Sequence, residues 1–237
     1  PYTTLFRSSK MKIYIKNMVC HRCIMVVQSE LEKKGFAPLN VLLGEITFDT
    51  QLPSHDLQLI AETLQNVGFE IIKDQKKQEV EKVKSLINWI KRWESDGETK
   101  IDGIGTQMHV SYILNEADQK KQEESIVNMF ELLAASGKLI KITELDMGIV
   151  EKAFGEGIKT ELVTFEQYQK MSDFYKFIIQ KYFEIIPVAQ QYGITQWAAT
   201  DSPADSGWRK GQPIGLWDLN YNRKHTYAGF ADGLAGK

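Results

Sequence analysis

Residues 164–192 restrict the fold more than any other part of this chain. Phe165, Tyr168, Met171, Tyr175, Ile178, Tyr182 and Ile185 recur there at helical spacing. That pattern lays an apolar stripe along one long helix, and the stripe needs a second layer to cover it. Gly193 is a natural stop for such a helix, and 194–198 then reads as a short strand. The same alternation occurs upstream. A strand over 100–110 ends in Gln107-Met108-His109. A helix over 123–136 is closed by Gly137. A strand over 139–142 runs into Thr143-Glu144-Leu145-Asp146. Strand, helix, strand, helix, strand is the repeat of a parallel α/β fold.

The N-terminal part follows a different pattern. Residues 12–16 (KIYIK) alternate as a strand does, and Met18-Val19-Cys20-His21-Arg22-Cys23 follows. A helical pattern then runs through Val26, Val27, Leu31 and Phe36. Residues 41–48 read as two strands with a turn at Gly44. Residues 57–64 are helical with a stop at Gly68, and 69–72 form a last strand. The order β-α-β-β-α-β is the split βαβ, ferredoxin-like arrangement, of the α+β class. Residues 11–87 resemble the small heavy-metal-associated domain and its relatives attached to bacterial transcription regulators. The resemblance implies that Cys20 and Cys23 could grip a soft ion, Cu(I) or Zn(II). Two thiolates supply only a transfer or shared site, and His21 sits inside the loop. A redox role and a packing or sensory remnant are the other readings.

Residues 1–8, PYTTLFRS, are what one frame of a common sequencing adapter encodes. An ordinary flexible terminus is the alternative. The expected division is therefore a tail over 1–10, the small module over 11–87 and an α/β segment over 88–237. All five tryptophans lie at or after Trp89, and no Gly-, Ser- or Pro-rich linker separates the two larger parts. Either two unrelated reading frames were joined, giving a truncated chimera, or the fusion is genuine.

Composition excludes several classes. At 43% hydrophobic and 25% charged, the chain has the material for a packed core. A formal charge of −2 without a long basic run gives no electrostatic footprint for nucleic acid. No apolar run reaches the ~18 residues of a membrane span. The N-terminus shows no apolar signal-peptide core, an absence without weight where the natural start is missing.

Three segments carry chemistry. Residues 101–109 read IDGIGTQMH and 142–146 read ITELD. Residues 197–208 read WAATDSPADSGW, followed over 213–227 by PIGLWDLNYNRKHTY. In this order they resemble the C-terminal part of family-10 glycoside hydrolases, whose closest named activity is endo-1,4-β-xylanase. There such segments end the sixth, seventh and eighth strands of a (β/α)₈ TIM barrel, where active sites gather. The resemblance implies that Glu144 is the nucleophile, attacking the anomeric carbon to form a glycosyl-enzyme intermediate. It implies that His109 keeps Glu144 ionised and oriented, with Gln107 close by. Trp197 and Trp208 would stack on the apolar faces of xylose rings. Arg209 would reach sugar hydroxyls, or simply lie in a solvated loop. Asp146, two residues beyond Glu144, shares its face if the strand continues; it could orient a neighbour or cap the next turn. The implied partner is xylan or a xylo-oligosaccharide, with no cofactor for the hydrolysis. The hydrolase resemblance implies a secreted or periplasmic protein, and the N-terminal resemblance a cytoplasmic one. A metal- or ligand-binding regulatory module over 11–87, fused by misassembly, is the alternative function.

A retaining glycosidase needs two carboxyl groups about 5–5.5 Å apart. In the family the acid/base Glu belongs to an Asn-Glu pair after the fourth strand, upstream of everything matched here. Asn115-Glu116 resembles that pair, but it follows the sixth-strand segment and reads as coincidence. A full barrel takes about 250 residues, so three strands of eight are expected and the chain as given should be inactive.

Overall fold

The computed structural model describes residues 10–18, 21–42, 44–72 and 75–236, with the backbone alone for 21 and 75–82. The adapter-like segment and Cys20 lie outside the described residues. The chain divides into two compact units, one up to Lys100 and one from Ile101.

In the first unit the order is β1 (Met11–Lys16), α1 (His21–Lys33), β2 (Asn40–Leu42), β3 (Glu45–Phe48), α2 (Ser54–Gln65) and β4 (Glu70–Ile71). The strands form one antiparallel sheet in the order β2-β3-β1-β4. This is the βαββαβ sequence of elements that the hydropathy pattern predicts. Ile13, Ile15, Val27, Leu31, Ile46, Ile60 and Leu64 are buried in one cluster, from the inward face of each element. Gly44 and Gly68 take left-handed φ of +81° and +87° at the two expected turns, a conformation costly for other residues. Cys23 lies in the first turn of α1 and packs partly buried against this cluster. Next comes α3 (Gln75–Trp93), which runs unbroken through residues 87–88. Its Trp89 packs on the same cluster, so by contact α3 sides with the first unit.

The second unit contains β5 (Gly103–Ile113), α4 (Glu116–Ala134), β6 (Leu139–Val150), α5 (Phe165–Ile185), β7 (Gln191–Gln196) and α6 (His225–Leu234). Its three strands are parallel, in the order β5-β6-β7. No described strand pairs with the outer edge of β5 or β7. The buried face of α5 is formed by Met171, Phe174, Tyr175, Ile178, Ile179 and Tyr182, each contributing about 1.5–3 kcal/mol if fully buried. Phe165, expected on that stripe, is 64% exposed. A capping box between Thr164 and Gln167 opens α5. Pro187, not Gly193, ends it, because the residue before a proline is pushed out of helical geometry; Ile186 is extended. Helix α6 lies close on α5: a Cβ at Gly229 would sit 2.0 Å from the Ser172 carbonyl oxygen. Among the described residues no helix is long and apolar enough to cross a membrane.

Candidate active site

One irregularity in β6 builds the site. Thr106 of β5 is level with Ile142 of β6, but Gln107 is level with Glu144, so Thr143 is an extra residue on β6. β7 registers the same step, with Ile142 beside Ile194 and Leu145 beside Gln196. In a regular strand side chains alternate with period two, and one extra residue exchanges the faces beyond it. Before the bulge Ile140 and Ile142 point to the helix-covered face. After it Leu145, Met147 and Ile149 take that face, all five being fully buried. Glu144 and Asp146 therefore move to the opposite face, level with Gln107 and His109. The bulge requires Gly105 below it, where a Cβ would lie 2.7 Å from the Thr143 methyl.

The carboxylate of Glu144 is held at both oxygens. Gln107 Nε2 donates to Oε1 at 3.0 Å, and His109 Nε2 lies 3.1 Å from Oε2. The Glu144 side chain keeps 22% exposure and that of His109 keeps 19%. Behind the imidazole, Nδ1 is 3.1 Å from Asp146 Oδ2. The separation suits a hydrogen bond but the alignment does not, since Nδ1 remains without a partner; we treat it as a close electrostatic contact. Asp146 is fully buried. Its Oδ2 accepts from the Trp208 indole at 2.9 Å, and Arg209 Nε stands 3.5 Å from Oδ1.

Both predicted tryptophans come to this cluster. Trp197 follows β7, with its amide donating to the Leu145 carbonyl at 2.9 Å. The ring centroids of Trp208 and Trp197 stand 4.7 Å and 5.8 Å from that of His109, both edge-on. They keep 44% and 53% exposure, so each offers surface beside Glu144. Arg209 turns inward, with 15% of its side chain exposed. Its Nη1 donates to Ser111 at 3.1 Å, in a gap that exists because residue 148 is glycine: a Cβ there would meet Nη1 at 2.4 Å. Burial pulls the guanidinium below its ordinary value, and the Asp146 charge opposes that.

Asn115 and Glu116 are not part of the cluster as a pair: Asn115 caps α4, its side chain accepting from the Asp118 amide at 3.0 Å, and Glu116 opens the helix. Two features were missed in the sequence. Ser111 lies two residues beyond His109 on the same face, so strand alternation points to it. A buried ion pair joins Asp201 and Lys224, 23 residues apart, and no local pattern signals it. Among the described residues no group of three or more His, Cys, Asp or Glu is arranged to hold a metal.

The family model described as Glycosyl hydrolase family 10 matches residues 70–233. Endo-beta-1,4-xylanase Xyn10C of Cellvibrio japonicus is 31% identical over 151 residues, 57% of this chain and 23% of that protein. Endo-1,4-beta-xylanase A of Cellvibrio japonicus (strain Ueda107) is 30% identical over 171 residues, 66% of this chain and 26% of that protein. Among solved structures, a mutant of P fluorescens subsp. cellulosa xylanase A in complex with xylopentaose gives a TM-score of 0.51 at 26% identity, covering 65% of this chain and 46% of that one. Native xylanase 10B from Thermotoga maritima gives 0.50 at 26% identity, covering 66% and 43%. The chain thus spans about a quarter of the curated relatives and under half of these solved chains. The fold it shares with them is a partial, TIM-barrel-like α/β fold. The family match starts within the first compact unit, ahead of α3, whereas the contacts divide the chain after Lys100. Since the match takes in more than half of the 237 residues, the chain belongs to glycosyl hydrolase family 10.

Proposed function

We propose that the second unit carries the nucleophile half of a retaining endo-1,4-β-xylanase site, with Glu144 as nucleophile and xylan or xylo-oligosaccharide as substrate. The observation that supports this most is the grip on Glu144, whose two oxygens face Gln107 and His109. A nucleophile must meet the anomeric carbon from one direction, and two fixed partners remove the freedom a surface glutamate has. With its proton on Nε2, the His109 imidazole donates to Oε2 and fixes the direction of the carboxylate. Trp197 and Trp208 offer apolar faces on which a xylose ring can stack. One solved relative, the xylanase A mutant, is a complex with xylopentaose, a ligand of the proposed substrate class.

In the reaction Glu144 attacks C1, a bond to the glutamate oxygen forms, and the glycosidic C–O bond breaks with its electron pair leaving on oxygen. A sugar leaving group needs a proton from a second carboxyl. We assign no residue of this chain to that role, so the 237 residues alone leave xylan uncut. An activated aryl glycoside needs no such proton. The test is incubation with 2,4-dinitrophenyl 2-deoxy-2-fluoro-β-xylobioside, followed by intact-mass analysis and peptide mapping. One fluoro-xylobiosyl adduct on Glu144, absent in Glu144→Ala, is expected. An adduct on another carboxylate, or none, overturns the assignment.

Within the first unit, residues 11–72 have the element order of a ferredoxin-like module. We extend to it the expectation of soft-metal binding at Cys20 and Cys23. Titration of the chain with Cu(I) against its Cys20→Ser/Cys23→Ser variant tests that; equal uptake removes it.

A further inference from the structure

The geometry points to Asp201 and Lys224 as positioning residues that set Trp208 against the site. The inference rests on the reading of Trp208 as a sugar platform. Asp201 and Lys224 form an ion pair whose side chains are 1% and 8% exposed. Lys224 Nζ also donates to the Pro213 and Gly215 carbonyls, at 3.0 Å and 3.1 Å. All three ammonium protons are thus used on the two ends of the loop that runs from Asp201 to Gly215. Gly215 is the fixed point on the far side. Its amide donates to Asp201 Oδ1 at 3.2 Å, and its carbonyl takes the Thr226 hydroxyl at 3.0 Å. A Cβ there would lie 2.1 Å from the Thr200 carbonyl carbon, so the two ends touch as closely as backbone permits.

Trp208 is in the middle of this loop and is tied to its base. Ser202, next to Asp201, donates its hydroxyl to the Trp208 carbonyl at 2.6 Å, and its amide donates to the Gln212 carbonyl at 3.0 Å. The indole then reaches Asp146 at 2.9 Å. The path runs from Lys224, at the start of α6, through Asp201 and Ser202 to Trp208 and on to Asp146 beside His109. Backbone hydrogen bonds from the Asp201 amide to Trp217 and from the Gly211 amide to Pro203 hold this stretch as well. The buried ammonium closes it in one geometry, because no other described cation lies against Asp201.

The Trp208 indole N–H resonance of the ¹⁵N-labelled chain, assigned by its loss in Trp208→Phe, reads the loop position directly. Xylopentaose affinity is read in parallel. In Lys224→Met the indole signal should move toward that of a water-exposed indole. Xylopentaose binding should weaken about tenfold, and the same substitution should leave the affinity of Trp208→Ala unchanged. An unmoved indole signal, or an equal loss in both backgrounds, overturns the inference. If Lys224→Met does not fold, Asp201→Asn, which keeps the side-chain shape, is read the same way. If the parent chain binds no xylopentaose, the functional reading falls while the indole signal still decides this one.

Discussion

At Asp146 a fully buried carboxylate gathers one imidazole, one indole and one guanidinium. Removing it would leave the Arg209 charge buried without its counter-charge, so this residue ties His109, beside Glu144, to the loop that carries Trp208. Its two neighbours along β6 show why it was only half legible: alternation puts it on the Glu144 face, but the partners come from residues 109, 208 and 209. Buried phenols make a prediction at this scale. Tyr175 is fully buried, and desolvation holds its hydroxyl well above the ordinary 10.0. Tyr168, packed under Lys224, is raised by burial and then by the Asp201 and Asp218 charges. Above pH ~10 the unfolded chain loses these protons and the folded chain keeps them, so the folded state binds more protons and stability falls as pH rises. Lys224 is depressed by burial and acts in the opposite sense, but only up to its ordinary 10.5. The unfolding free energy from urea titration, followed by tryptophan fluorescence, should therefore drop steeply above pH ~10.5, by about 1.4 kcal/mol per pH unit for Tyr175 alone. Tyr175→Phe should flatten that limb; an unchanged slope would assign the loss elsewhere.

Among the elements, β6 decides what the second unit can do, and its decisive feature is the extra residue Thr143. The sequence reads this strand as four residues, 139–142, because the apolar alternation breaks there. The structure carries it to Val150, since the break is a bulge and the alternation resumes one residue out of phase. The helix α4 likewise starts at Glu116 rather than near residue 123, because Asn115 caps it and its first turns carry polar side chains, including the buried Gln119. Hydropathy thus reports where a face is buried, and it misses both a polar first turn and a change of face. The long α5 was legible because its stripe is continuous, and its end was misread because a glycine was preferred to the nearer Pro187. Deleting Thr143 tests the bulge. Without the extra residue Ile142 would run straight into Glu144, and ordinary alternation keeps Leu145, Met147 and Ile149 on the apolar face and Glu144 and Asp146 on the site face. No carboxylate is driven into the core, so the second unit should keep its cooperative thermal transition. Thr143→Ser, which keeps the count, should melt within a few degrees of the parent. A deletion variant that loses that transition would mean that the register beyond the bulge depends on Thr143 itself.

For the whole molecule the question is how much of a glycosidase three strands can be. The outer edges of β5 and β7 have no strand partner among the described residues, and the chain spans under half of the solved relatives. Glu144, the His109 imidazole and the two tryptophans lie together in it, so under the proposed role of Glu144 the covalent step has its attacking half. Protonation of the departing sugar does not, and general acid help is worth about 10²–10⁴-fold. Poor positioning of the substrate, where 1 Å can cost about 10²-fold, adds to that deficit. The two terms multiply, and together they place xylan hydrolysis by these 237 residues below detection while leaving reaction with an activated aryl glycoside open. A hybrid separates the two deficits. Placing the N-terminal half of a family-10 xylanase before residue 100 supplies both an acid and further barrel strands, and reducing-sugar release from xylan should appear. Glu144→Ala in the hybrid should abolish it, because no other carboxylate attacks C1. Glu116→Gln should leave it intact, because that residue opens α4 beside its Asn115 cap. If instead the 237-residue chain cut xylan unaided and Glu116→Gln stopped it, the acid would lie in α4 and the assignment of the two halves would be wrong.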